Sequence, residues 1–162
     1  MYKCKKSQIV VADLFIAMFI ATMLIIIIIF TWNNYAILLD ENIEYNEMQI
    51  IAFQTADLLV KSKGEPVNWE YSPNNVDAIG LASSDRVISE EKVGEFVNLP
   101  YNVTSKLLGV DLYDFRFELN HINGTMMEEY GKTPEGNKSI VSVQRIVSYK
   151  NEKAVVEFVL WK

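Results

Sequence analysis

The side chains able to do chemistry in this 162-residue sequence are few and scattered. Its single histidine is His121 and its single cysteine is Cys4, so no Cys/His pair and no His/Cys cluster with metal-ligand spacing can be assembled. A Ser/His/acid arrangement would have to use His121, and no serine lies between the glycines of a nucleophile elbow. The seven glycines are dispersed and make no phosphate-cradling loop. Carboxylates are plentiful, but no spacing singles out an acid/base pair. The expectation is a chain that is not an enzyme, with no cofactor and no metal, in which His121 is a surface residue beside a turn.

One carboxylate stands apart. From Ile9 to Trp32 the only residues that are not apolar are Asp13, Thr22 and Thr31, and the centre reads Leu24-Ile25-Ile26-Ile27-Ile28-Ile29-Phe30. As a helix this stretch is about 36 Å long, enough to cross a hydrocarbon core of about 30 Å. A carboxylate in such a segment is costly unless it is neutralised or paired. Two roles stay open on the residues alone. Asp13 sets the register of helices that assemble side by side, or it sits at headgroup depth and trims the inner end of a span.

The flanks give an orientation. Lys3, Lys5 and Lys6 precede the apolar run with no acid among them, while Trp32-Asn33-Asn34-Tyr35 follows it and leads to Asp40, Glu41, Glu44 and Glu47. The excess of positive charge on the inner side places the N-terminus in the cytoplasm and everything from residue 33 onward outside, with Trp32 and Tyr35 at the outer interface. The apolar run is longer than the core of a secretory leader and no small-x-small cleavage site follows it, so a retained single-pass helix is expected. Cys4 is then cytoplasmic, read as an unmodified thiol, and the outer part has no disulfide. Of the 15 basic and 21 acidic residues, only Lys3, Lys5, Lys6 and Asp13 precede residue 33; the remaining 12 and 20 give the outer part a balance of −8, which repels nucleic acid.

No glycine precedes Gly64 and no proline precedes Pro66. Beyond Tyr35 the apolar residues Leu38/Leu39, Ile43, Met48, Ile51/Ala52, Thr55/Ala56 and Leu59 recur at helical spacing among Glu, Asn and Gln. Lys61-Ser62-Lys63-Gly64-Glu65-Pro66 supplies late cations, a glycine for a left-handed cap and a proline beyond it. One long helix over residues 8–63 is predicted, membrane-spanning at 9–32 and amphipathic after it.

A loop over 64–75 follows, then a short helix capped by Ser89 and ending near Leu99-Pro100, and another from Asn102 to Leu108. In Leu112 to His121 the period becomes two, with Tyr113, Phe115, Phe117 and Leu119 on one face. Asn123-Gly124 signals a turn, although the residues after it are too polar for an immediate hairpin partner. Strands are predicted near 112–121, 139–149 and 154–161, forming a small antiparallel sheet over the amphipathic half of the helix. Trp69 and Trp161 are expected to pack into the folded part. The fold class is α+β, with a long helical stick and a head at 64–162. Three Asn-x-Ser/Thr triplets begin at Asn102, Asn123 and Asn137, all on the outward side, and Asn123 and Asn137 are the better candidates for glycosylation.

The short lysine-bearing leader, the polar junction Lys6-Ser7-Gln8, an acid a few residues into a pure apolar helix, and a helix that continues into a small β-rich head together resemble an archaeal type IV pilin-like protein. Runs in the head, "ADLLVKSKGEPVNWE", "IGLA" and "KLLGVDLYDF", are similar to runs in such proteins. The resemblance implies a lollipop-shaped subunit, a minor pilin, that assembles into a surface filament through its N-terminal helix. It implies processing by a prepilin peptidase at the Ser7–Gln8 bond, which would remove residues 1–7 as a cytoplasmic leader, and contact with a pilus assembly platform, membrane lipid and other pilin subunits. The family's acid is usually the fifth mature residue, here Ala12, and Asp13 stands one place later. On this resemblance Asp13 is an assembly residue, its carboxylate meeting the α-amino group of a neighbouring subunit's Gln8. The alternative is an uncleaved single-pass membrane protein with an extracellular binding head.

Overall fold

The structure, a computed structural model, describes residues 4–136 and 139–162, and within these not the side chains of residues 4–11, 40–42 and 74. The chain divides between Glu44 and Tyr45 into two units. A single helix, α1 (Cys4–Lys61), contributes to both.

In the first unit, beyond its first turn, α1 pairs its backbone amides and carbonyls along the helix, as an apolar segment must where water is excluded. Its two threonines return their hydroxyls to the helix: Thr22 Oγ1 donates to the Phe19 carbonyl at 2.8 Å and Thr31 Oγ1 to the Ile27 carbonyl at 2.7 Å. No polar group in the centre of the run is therefore left without a partner on its own helix.

The second unit is an α+β layer structure. Its sheet is six-stranded, in the order β1-β2-β5-β6-β3-β4, from β1 (Ala82–Ser84), β2 (Val87–Ile88), β3 (Asp114–His121), β4 (Met126–Gly131), β5 (Ile140–Tyr149) and β6 (Glu152–Trp161). The three predicted strands correspond to β3, β5 and β6, which pair antiparallel. The prediction of a purely antiparallel sheet is corrected, because β2 pairs parallel with β5, with Val87 opposite Ser148. The chain after Asn123-Gly124 also forms a strand after all. β4 pairs with β3 from Arg116 opposite Gly131 to Asn120 opposite Met126. Its polar residues are accommodated because β4 is an edge strand, where charges face solvent and discourage further pairing.

The expected alternation in β3 places Phe115, Phe117 and Leu119 in the core, opposite Leu160, Phe158 and Val156 of β6. The turn between β5 and β6 is the two-residue Lys150-Asn151, both with positive φ (53° and 64°), the conformation whose twist matches a hairpin. Over the inner face lie the last turns of α1, α2 (Glu90–Asn98) and α3 (Tyr101–Leu107). Here α1 is amphipathic as expected, burying Met48, Ala52, Thr55, Ala56 and Leu59, with Val60 added. The expected stripe began earlier, and that part is corrected: Leu38, Leu39 and Ile43 are 55%, 60% and 57% exposed.

The end of α1 is held by backbone. Its late carbonyls at Leu59 and Val60 accept from the amides of Leu81 and Arg86 at 2.9 and 3.1 Å, and Ser62 just beyond accepts from Ala82 at 3.0 Å. This close approach needs Gly80, whose hypothetical Cβ would collide with the Ser62 carbonyl and the Gly64 amide. Trp69 is fully buried, as expected, and its indole Nε1 donates to the Gly80 carbonyl at 2.9 Å. Trp161 is 1% exposed but shares the outer parity of β6 with Val159, is not part of the main core, and lines an open cleft with Asp114, Lys132 and Thr133.

Candidate functional site

The first unit presents an apolar surface. Every side chain from Ala12 to Leu39 is exposed, and Leu14, Phe15, Met18 and Phe19 next to Asp13 are each more than 60% so. Among these residues Asp13 is the only charged one. Helical spacing places Ile16 and Ala17 beside it on the same face, so its carboxylate is flanked by aliphatic surface.

Magnitudes show what this arrangement can do. At the centre of a span, Leu, Ile and Phe favour insertion by roughly 0.3–0.6 kcal/mol each, so Leu24–Phe30 alone contributes about 2–4 kcal/mol. An acid at the centre costs about 2.5–3.5 kcal/mol, and less towards an end. The remaining apolar residues therefore leave insertion favourable even with Asp13 unpaired. The acid does not prevent a membrane location; it leaves a cost that a cationic partner could recover. Among the described residues one helix, near the N-terminus, is long and apolar enough to cross a membrane.

Of the residues expected at the processing junction, the side chains of Lys6, Ser7 and Gln8 lie outside those described; the backbone there is helical. Asn137 also lies outside the described residues. Asn102 is in α3 and Asn123 is at the tip of the β3–β4 hairpin.

The polar groups of the second unit form several separate clusters. Lys92 is 4% exposed, and its ammonium group donates to the carbonyls of Lys63 and Val67 at 2.5 and 2.7 Å, with Glu70 3.8 Å away. Burial holds its pKa below the usual lysine value, opposed by Glu70. It ties the segment after α1 to α2, a role the sequence did not reveal because Lys92 stands in an ordinary first helical turn.

Tyr101 donates to Asp114 Oδ1 at 3.1 Å and accepts from the Phe115 amide at 3.0 Å, while burial pushes its phenol up to about 12. Tyr130 donates to the Leu99 carbonyl at 2.7 Å and packs edge-on against Phe96, with ring centres 4.9 Å apart. On the outer face Arg116 joins Glu118 at 2.7 Å and Glu129 at 2.8 Å, which relieves two carboxylates that face each other across β3 and β4. Asp57 of α1 accepts from Arg145 of β5 and from Lys61, each at 2.7 Å.

His121 lines an open cleft of about 400 Å³ with Met127, Glu128, Tyr149, Lys150 and Glu152, its Nδ1 3.5 Å from Glu152. Among the described residues, the cleft lining contains no serine, threonine or cysteine that His121 could activate. Among the described residues no three His, Cys, Asp or Glu side chains gather as metal ligands.

Comparison of the chain with protein-family models, with curated proteins and with solved structures gives no match. The large exposed apolar surface of residues 12–39 is far beyond the patch that a soluble monomer ordinarily shows.

Proposed function

We propose that the chain is a structural subunit, a minor pilin, of an archaeal type IV pilus-like surface filament. It assembles through its N-terminal helix, with the second unit displayed outside the cell. The observation that supports this reading is an apolar helical surface, exposed on all sides from Ala12 to Leu39, that carries a single carboxylate near its N-terminal end. In lipid such a surface is already solvated, so association needs a specific attraction, and Asp13 supplies one. Cleavage after Ser7 by a prepilin peptidase would free an α-amino group at Gln8, about 7 Å along the helix from Asp13. Within one chain the two are fixed on the same helix; between chains in register, a neighbour's amine meets the acid and an out-of-register copy leaves both charges unpaired.

Two measurements on material from the native membrane test this. N-terminal sequencing should begin at Gln8, and Asp13→Ala should remove the subunit from sheared surface filaments while the second unit stays folded. A chain that retains residues 1–7 and never enters a polymer would replace the proposal with the uncleaved single-pass protein whose outer unit binds a partner.

A further inference from the structure

The triplets that begin at Asn102 and Asn123 are equivalent in sequence but not in structure. A glycan transferase must reach both the asparagine carboxamide and the hydroxyl two residues on. In Asn102-Val103-Thr104 the whole triplet lies in α3, where residues two apart do not share a face. Asn102 is exposed, but Thr104 is fully buried, its hydroxyl held between the Pro100 carbonyl at 3.3 Å and the Tyr130 hydroxyl at 2.9 Å. In Asn123-Gly124-Thr125, by contrast, all three residues are exposed at the turn between β3 and β4.

That turn is well defined. The Gly124 amide donates to the His121 carbonyl at 2.9 Å, and the His121 amide to the Thr125 carbonyl at 2.8 Å. Gly124 has φ +84°, and a Cβ placed on it would meet nothing within 4 Å, so the tip is open on that side as well. The Thr125 amide donates to Asn123 Oδ1 at 3.0 Å, which occupies the carbonyl end of the carboxamide. The nitrogen, the atom that would take a sugar, is the other end.

We propose that Asn123 is an N-glycosylation site and that the Asn102 triplet is closed to the same modification. The donor is a sugar chain carried on a lipid phosphate. The Asn123 amide nitrogen attacks the anomeric carbon; a C–N bond forms, the bond from that carbon to the phosphate oxygen breaks, the lipid phosphate leaves with the electron pair, and the nitrogen's proton passes to a base of the transferase. The inference rests on the reading that places the second unit on the outer side of the membrane.

Peptide-level mass spectrometry of protein purified from its native cells tests it, alongside digestion by protease added to intact cells. The expected result is a glycan mass on the Asn123 peptide, an Asn102 peptide at its unmodified mass, and loss of the glycan both in Asn123→Gln and in Thr125→Ala, which keeps the asparagine and its turn bond. A bare Asn123 on chains whose second unit the external protease cleaves overturns the site and leaves the orientation intact. A bare Asn123 on chains protected from that protease overturns both. A glycan on Asn102 overturns the selection between the triplets.

Discussion

The stretch Leu24–Phe30 and the stretch Met48–Val60 belong to the same helix and are both rich in apolar residues, yet they solve opposite problems. The first is apolar on every side and exposed on every side; the second is apolar on one face and buries that face with Ala52, Ala56 and Leu59 fully covered. Small residues on the second stretch let helix and sheet approach closely, whereas the first carries bulky Ile and Phe with nothing in its own unit to meet. Hydrophobicity alone does not make a core. A core needs a partner surface within the chain, and where none exists the apolar surface must find lipid or another molecule.

The sharpest way to break this contrast is to separate the two stretches. A fragment of residues 45–162 is expected to remain folded and monomeric without detergent, while the full chain requires detergent; size-exclusion chromatography and circular dichroism check both. Next in size are substitutions of single large side chains. Phe117→Ala should destabilise the second unit by about 3–5 kcal/mol in urea unfolding, because Phe117 is fully buried between β6 and Phe96. Ile27→Ala, in the first unit, should leave that same transition where it was.

A smaller effect is expected from alkali. Tyr101 holds its proton up to about 12 in the folded state against an ordinary value of 10.0, so its contribution is fully present below pH 10 and is lost as the pH rises towards 12. Tyr101→Phe should therefore flatten the loss of stability over that window, measured as the urea midpoint against pH. The smallest change is expected for Asp57→Asn. Its bonds to Lys61 and Arg145 are partly solvated, with the Asp57 side chain 38% exposed, and their loss should cost no more than about 1 kcal/mol. A larger cost would mean that this ion pair, rather than apolar burial, fixes α1 against β5.

The sequence carried some of this plainly and was silent on the rest, for reasons that can be named. The apolar run and the period of two in β3 are local patterns, and a local pattern survives reading one residue at a time. Met126–Gly131 has no such pattern, since an edge strand is covered on fewer sides and tolerates Glu128 and Glu129. The parallel pairing of the two-residue β2 with β5 joins positions about sixty residues apart and leaves no trace in either segment. Leu38, Leu39 and Ile43 show the complementary failure: helical spacing tells which residues share a face, not whether anything covers it. For the candidate site, Asp13 was visible because it interrupts a uniform background. The difference between Asn102 and Asn123 was not, because it depends on where Thr104 points once α3 has docked on Tyr130.

The three backbone hydrogen bonds at and just beyond the end of α1 have a mechanical meaning. Leu81, Ala82 and Arg86 grip the carbonyls of Leu59, Ser62 and Val60 while the buried face of the same helix is wedged over the sheet. Tension applied along α1 would load these anchors together with the packed face instead of unzipping them one after another. Fraying of this end of the helix would have to break several bonds and uncover apolar surface in one event, which ties the end of α1 to the stability of the whole second unit.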